Sequence, residues 1–258
     1  MAIDLIPLRR EPSPLPKIVI ARQFCGPPNS GNGGYVCGVL AKDFAGPATS
    51  VLRARVPLDV NLNLRMEDGV MQLTDAAGAL VGKAEPTGAA LLPTPPEPPS
   101  LRAAREAGAR FAGHDQTIHP ICFTCGPERR EGDGLRVFAG QIEGAPPGHV
   151  ACLWSPHMDF ADPEGLVPAE VIWAALDCPG FFAWVAKAGR HGALLGAMTG
   201  EVLRRPRAGE DHVVMAWPLE RQGRKETSSV ALFALDGELL ARGHQVWIMN
   251  AAPVQAAA

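Results

Sequence analysis

The chain has 258 residues, enough for one large domain or two small ones, and an apolar share of 47% that can fill a core. A formal net charge of -3, with scattered basic residues and no nucleic-acid-binding motif, excludes a nucleic-acid binder. No window reaches the roughly 18 uninterrupted apolar residues of a membrane span. Met1 to Pro16 alternates prolines with charges and lacks an apolar signal core, so a cytoplasmic protein with no membrane partner is expected.

Six cysteines, Cys25, Cys37, Cys122, Cys125, Cys152 and Cys178, show no framework spacing, which fits reduced thiols. In chain order, the loop Asn29-Ser30-Gly31-Asn32 leads into a glycine-started, small-residue helix at Gly33 to Ala41. Gly78 to Ala84 reads as a hairpin turn leading into a strand that carries Lys83 near its end. The run from Pro93 to Pro99 holds five prolines and can continue neither a helix nor a sheet interior, so it is an extended spacer. A short helix is expected at about Leu101 to Arg110, followed by a turn-rich passage from Gly113 to Gly134.

Val150 to Trp154 alternates as a strand does. Val171, Ile172, Ala174, Ala175 and Leu176 form an apolar helix, and Cys178-Pro179-Gly180 is expected to break or kink it. Strand-length segments follow at Ala193 to Leu203, His212 to Leu219, Ser228 to Leu235 and Leu239 to Met249. One helix and an antiparallel meander, occurring twice, is an α+β plan.

Asp177 is the one carboxylate at the end of that apolar run. An acid buried there loses solvation and is costly unless paired or used; on a solvated last turn it does nothing. The two sides of the proline spacer resemble each other. Laying Gly33 on Ala169 places Val36 on Ile172, Val39 on Ala175 and Leu40 on Leu176, and Ala41 where the second helix has its acid. From helix start to hairpin glycine the first half spans 45 residues, Gly33 to Gly78, and the second 68, Ala169 to Gly237, so the first sheet is expected to be smaller.

Three further stretches carry a family resemblance: Cys122-Phe123-Thr124-Cys125-Gly126-Pro127 with Gly134-Leu135-Arg136-Val137-Phe138, Val167 to Asp177, and Pro206 to Asp211 with Gly237 to Arg242 and Gln245-Val246-Trp247. Together they resemble the hotdog-fold acyl-CoA thioesterases in their double-hotdog form, most closely over 120–250 and more loosely over 18–86. The resemblance implies two fused units, each an antiparallel sheet wrapped around a central helix: 17–92, trimmed, and 119–250, with 93–118 as linker. It implies hydrolysis of an acyl-CoA thioester in the cleft between them, by a cytoplasmic homodimer whose only coenzyme is the CoA of its substrate. In such enzymes a helix N-terminus aims N–H groups at the thioester carbonyl, and a carboxylate on the partner helix activates water or attacks directly.

Here the donors fall to Gly33 and Gly34, preceded by Asn32, and the acid to Asp177, so one competent site per chain is expected. Glu170 and Thr199 are candidate substrate-binding groups beside it, and Arg224 and Lys225 candidate partners for the coenzyme A phosphates. Trp173, Phe181, Phe182 and Trp184 are expected to fill the core, one or two of them lining the acyl channel. The rival readings are a non-catalytic acyl-thioester-binding protein and, further off, a hotdog enoyl-CoA hydratase, for which Asp115 and His119 have the wrong spacing. His119-x-x-Cys122-x-x-Cys125 hints at zinc, but no second Cys-x-x-Cys completes four ligands and only a distant Cys25 or Cys152 could help, so no metal is expected.

Overall fold

Alternating apolar side chains assemble a continuous antiparallel sheet of eleven strands in the computed structural model, which describes residues 17–115, 118–189 and 192–250. The Met1 to Pro16 stretch read for a signal lies outside the described residues. The strands are β1 (Lys17–Val19), β2 (Ala48–Leu52), β3 (Asn61–Glu67), β4 (Val70–Thr74), β5 (Leu80–Pro86), β6 (Gly140–Gln141), β7 (Val150–Trp154), β8 (Ala193–Val202), β9 (His212–Gln222), β10 (Lys225–Phe233) and β11 (Leu239–Met249). The helices are α1 (Gly33–Ala41), α2 (Leu101–Gly108) and α3 (Ala169–Ala188).

The spatial order is β1-β3-β4-β5-β2-β8-β11-β10-β9-β7-β6. Outward from the central β2–β8 pair, each half repeats one plan: the strand after the helix, then the half's remaining strands in reverse chain order. The halves join where Ala48, Thr49, Ser50 and Val51 pair with Gly200, Thr199, Met198 and Ala197. The first half is the smaller: β3, β4 and β5 have 7, 5 and 7 residues, against 11, 9 and 11 in β9, β10 and β11.

Both long helices lie on one face of this sheet and pack against each other. Three glycines in the nine residues of α1 are a poor helix composition, each costing roughly 1 kcal/mol relative to alanine. Close approach is the return: a Cβ on Gly34 would lie 2.5 Å from the Trp173 carbonyl oxygen and one on Gly38 2.6 Å from Glu170 Cα, so the helices cross antiparallel at backbone contact. Asn32 starts α1 by accepting the Tyr35 N–H at 2.9 Å on its side-chain oxygen.

The helix expected to break or kink at Cys178-Pro179-Gly180 does not break there: it runs on to Ala188 with Pro179 inside it. Proline removes one N–H from the ladder. Beside it the buried Gln245 side chain donates to the Leu176 and Asp177 carbonyls at 2.8 and 2.9 Å, so tertiary hydrogen bonds hold that turn. By length and composition α3 could cross a membrane, yet most of it is buried against the sheet.

The spacer runs from Pro93 to Ser100 without helix or strand and leads into α2, close to its expected position. α2 covers the opposite face of the sheet: Ala104 packs with Ala151, Val213, Met215, Phe233 and neighbours, while Val150, Val214, Ala216 and Leu232 face α3. On that face α2 lies against β7 and β6, beside the buried apolar side chains of β9 and β10.

Candidate active site

Asp177 stands in the middle of α3 at 4% exposure, which decides against the solvated last turn. Its Oδ2 accepts the Gly34 N–H at 3.0 Å, so the acid of the second half reaches the helix start of the first half directly. Oδ1 is buried and has no hydrogen-bond partner among the described residues. Burial pushes the carboxyl up from its ordinary value to about 7, against the Gly34 N–H; the Cys122 sulfur pushes the same way and the Asn32 side chain opposes. Within the first turn of α1, Asn32 Oδ1 takes the Tyr35 N–H, whereas the Gly33 N–H makes no hydrogen bond among the described residues.

The Cys122 to Gly126 turn wedges between the two helices. Asn32 Nδ2 donates to Thr124 Oγ1 at 3.2 Å, and that hydroxyl donates to the Ala174 carbonyl at 2.7 Å. The Phe123 N–H reaches back to the Cys25 carbonyl at 2.7 Å, and the buried Phe123 ring meets Phe24, Tyr35 and Phe160 edge-on. The turn thereby fixes the start of α1 relative to α3.

Asp177, Asn32, Gly33 and Cys178 border a cavity of about 300 Å³. Leu52, Leu195, Phe181, Phe182 and Trp247 supply apolar walls, and the exposed Arg53 and Arg55 line it too, neither in an ion pair among the described residues. A cavity of this size, apolar with a few convergent polar groups, suits a small ligand or one arm of a larger one.

Among the residues singled out from the sequence, the structure brings together Asp177, Gly34, Gly33 and Asn32. Gly34 itself packs on Asp177 Cβ rather than lining the cavity. Because Gly34 already donates to Asp177, the two glycine amides are not equivalent, whereas the sequence reading makes both of them oxyanion donors. The other candidates stand apart from the cavity. Glu170 lies against Gly38, nearly two turns before Asp177 on α3. Thr199 shares a 2.8 Å hydrogen bond with Thr49 across the β2–β8 pair. Arg224 donates to the Met249 carbonyl at the β9–β10 turn, with Lys225 next to it.

Phe181 and Phe182 line the cavity, whereas Trp173 and Trp184 do not. Arg53, Arg55 and Cys178 went unrecognised as site residues. Arg-x-Arg after a strand carries no signal of its own, and Cys178 is brought to Cys122 only by the fold.

No protein-family model matches the chain, and no curated protein matches its sequence. Solved structures do match. A protein of Novosphingobium aromaticivorans to which a thioesterase activity is ascribed superimposes with a TM-score of 0.62 at 13% identity, over 91% of this chain and 94% of that one. A protein of unknown function with a hot dog fold from Alicyclobacillus acidocaldarius gives 0.60 at 14% identity, over 92% and 93%. The tesB protein of Mycobacterium avium subspecies paratuberculosis gives 0.57 at 14% identity, over 93% and 95%. The chain thus has an α+β hotdog fold and is similar in structure to thioesterase-like proteins.

Proposed function

We propose that this hotdog-fold chain hydrolyses acyl-CoA thioesters in the cavity between two fused hotdog units, 17–92 and 119–250, joined by 93–118. The observation that carries the reading is the Asp177 carboxylate fixed by the Gly34 N–H at the start of α1, on the border of an apolar cavity. Its Oδ2 is held and its Oδ1 is free, the arrangement of a positioned general base. Oδ1 takes a proton from water as the water oxygen attacks the thioester carbon. The tetrahedral oxyanion gathers at the Gly33 N–H and the positive end of α1. Collapse expels the thiolate, which leaves with the proton as thiol, and the acyl group departs as carboxylic acid.

The acyl chain lies along Phe181, Leu195 and Trp247, and Arg53 and Arg55 stand where coenzyme A phosphates could be met. The pseudo-equivalent position, with Ala41 on α1 and Pro168 at the start of α3, has no acid and lacks one N–H donor, so each chain holds one site. One observation favours a second reading, a non-catalytic acyl-thioester binder: Gly34 is already engaged, leaving a single free amide donor for an oxyanion.

Release of free thiol from short, medium, long and aromatic acyl-CoAs separates the two. Turnover that falls about 100-fold or more in Asp177→Ala supports the base; unchanged turnover in that variant refutes it. Tight CoA binding with no turnover across the panel establishes the binder.

A further inference from the structure

Three of the six thiols converge beside the cavity. Cys122 and Cys125 come from the tight turn before β6, and Cys178 from α3, immediately after Asp177. Their sulfurs all lie within 4.8 Å of one another, and Cys122 Sγ is 3.6 Å from Cys178 Sγ. A tetrahedral zinc–thiolate bond of about 2.3 Å implies sulfur–sulfur edges near 3.8 Å, so this spacing already suits one shared ion.

The turn is shaped for sulfur ligands. The Gly126 N–H closes it on the Cys122 carbonyl at 2.8 Å. A Cβ on Gly126 would lie 2.5 Å from the Pro120 carbonyl oxygen and 2.6 Å from Cys122 N, so only glycine fits. The Asn32 side-chain N–H donates to Cys122 Sγ at 3.8 Å.

The three cysteines and His119 line the same cavity. The remaining cysteines lie elsewhere: Cys25 Sγ contacts Arg129 and the Ile121 carbonyl, and Cys37 and Cys152 are buried on α1 and β7.

We propose that Cys122, Cys125 and Cys178 bind one Zn²⁺ ion as thiolates, with its fourth coordination position turned to the cavity where His119 stands. Each thiol gives up its proton on binding, so an apo chain with three protonated thiols releases three protons per ion. The ion ties the motif turn to α3 next to Asp177. Neither the site nor its test depends on thioester chemistry, since no substrate is used.

The full chain, purified under reducing conditions after expression with zinc, is expected to retain one zinc per chain by elemental analysis. Exchange with Co²⁺ is expected to give the sulfur-to-cobalt charge-transfer band of thiolate ligation and the intense visible bands of a tetrahedral site. Cys125→Ser and Cys178→Ser should each lose at least about tenfold in zinc affinity, and Cys152→Ala, outside the cluster, should lose nothing. If the serine variants fail to fold, the wild-type chain still decides: chelated protein in weak buffer should release protons on adding zinc and regain one ion. A wild-type chain that retains no zinc and shows no thiolate–cobalt band overturns the proposal. So does a native Cys122–Cys178 disulfide found by mass spectrometry.

Discussion

Asp177 is a buried acid whose charge costs stability, and the proposed chemistry uses that charge. Its folded value of about 7 exceeds the ordinary 3.8, so between those limits the folded chain holds a proton the unfolded chain has lost. Stability in the metal-free protein therefore falls as pH rises from about 4 to 7 and stays low above. Asp177→Asn removes that dependence and can still accept the Gly34 N–H. In chelator at pH 8 the variant is expected to be more stable by on the order of 2–4 kcal/mol in urea titrations, while losing turnover. A less stable variant would mean the charged acid is not buried at a cost. Gly34 makes the complementary point. Alanine is the better helix former by about 1 kcal/mol, yet its Cβ would sit 2.6 Å from Asp177 Cβ. Gly34→Ala is expected to lose about 1–3 kcal/mol net and to lower kcat, by denaturant melts and steady-state assay.

At the level of elements, α3 is held together by a residue far away in sequence. Gln245 on β11 donates to two carbonyls of the turn around Pro179, and its own Oε1 accepts from Ser228 Oγ and Trp247 Nε1 at 3.1 and 3.2 Å. Gly180 leaves the room, since any side chain there would overlap Gln245 Oε1. Gln245→Ala is expected to cost about 2–4 kcal/mol, from unmet buried polar groups and the space left behind, with unfolding by urea as the readout. This is also where reading the sequence stopped short. The strands β8 to β11 and the helix α1 were legible because alternation and small-residue spacing are local signals. The continuation of α3 through Pro179 was not, because the groups that brace the turn beside the proline come from another strand. α2 was legible as a helix, but its place over β7 and β6 on the far face of the sheet was not, since nothing local says which side a short helix covers.

For the whole molecule, the internal repeat could be read because the helix start and the hairpin recur in order, and the shorter first half followed from its spacing. That Asp177 reaches the start of α1 could be argued only from pairing the two halves; that it bonds Gly34 and leaves Gly33 free depends on how closely the two helices cross. The three-thiol cluster was half visible, as Cys122 and Cys125, while the third sulfur depended on how α3 meets the motif turn.

The β2–β8 seam has one more consequence, in mass action. A site whose acid and amide donor come from separate chains disappears on dilution, as those chains part. Here both lie on one polypeptide, whose halves share a sheet and a helix pair at backbone contact. Their effective concentration is fixed by covalent connection. Specific activity is therefore expected to stay constant as the protein is diluted, measured from micromolar to picomolar enzyme in the thiol-release assay, whatever oligomer forms at higher concentration. A decline with dilution would mean that a second chain completes the site.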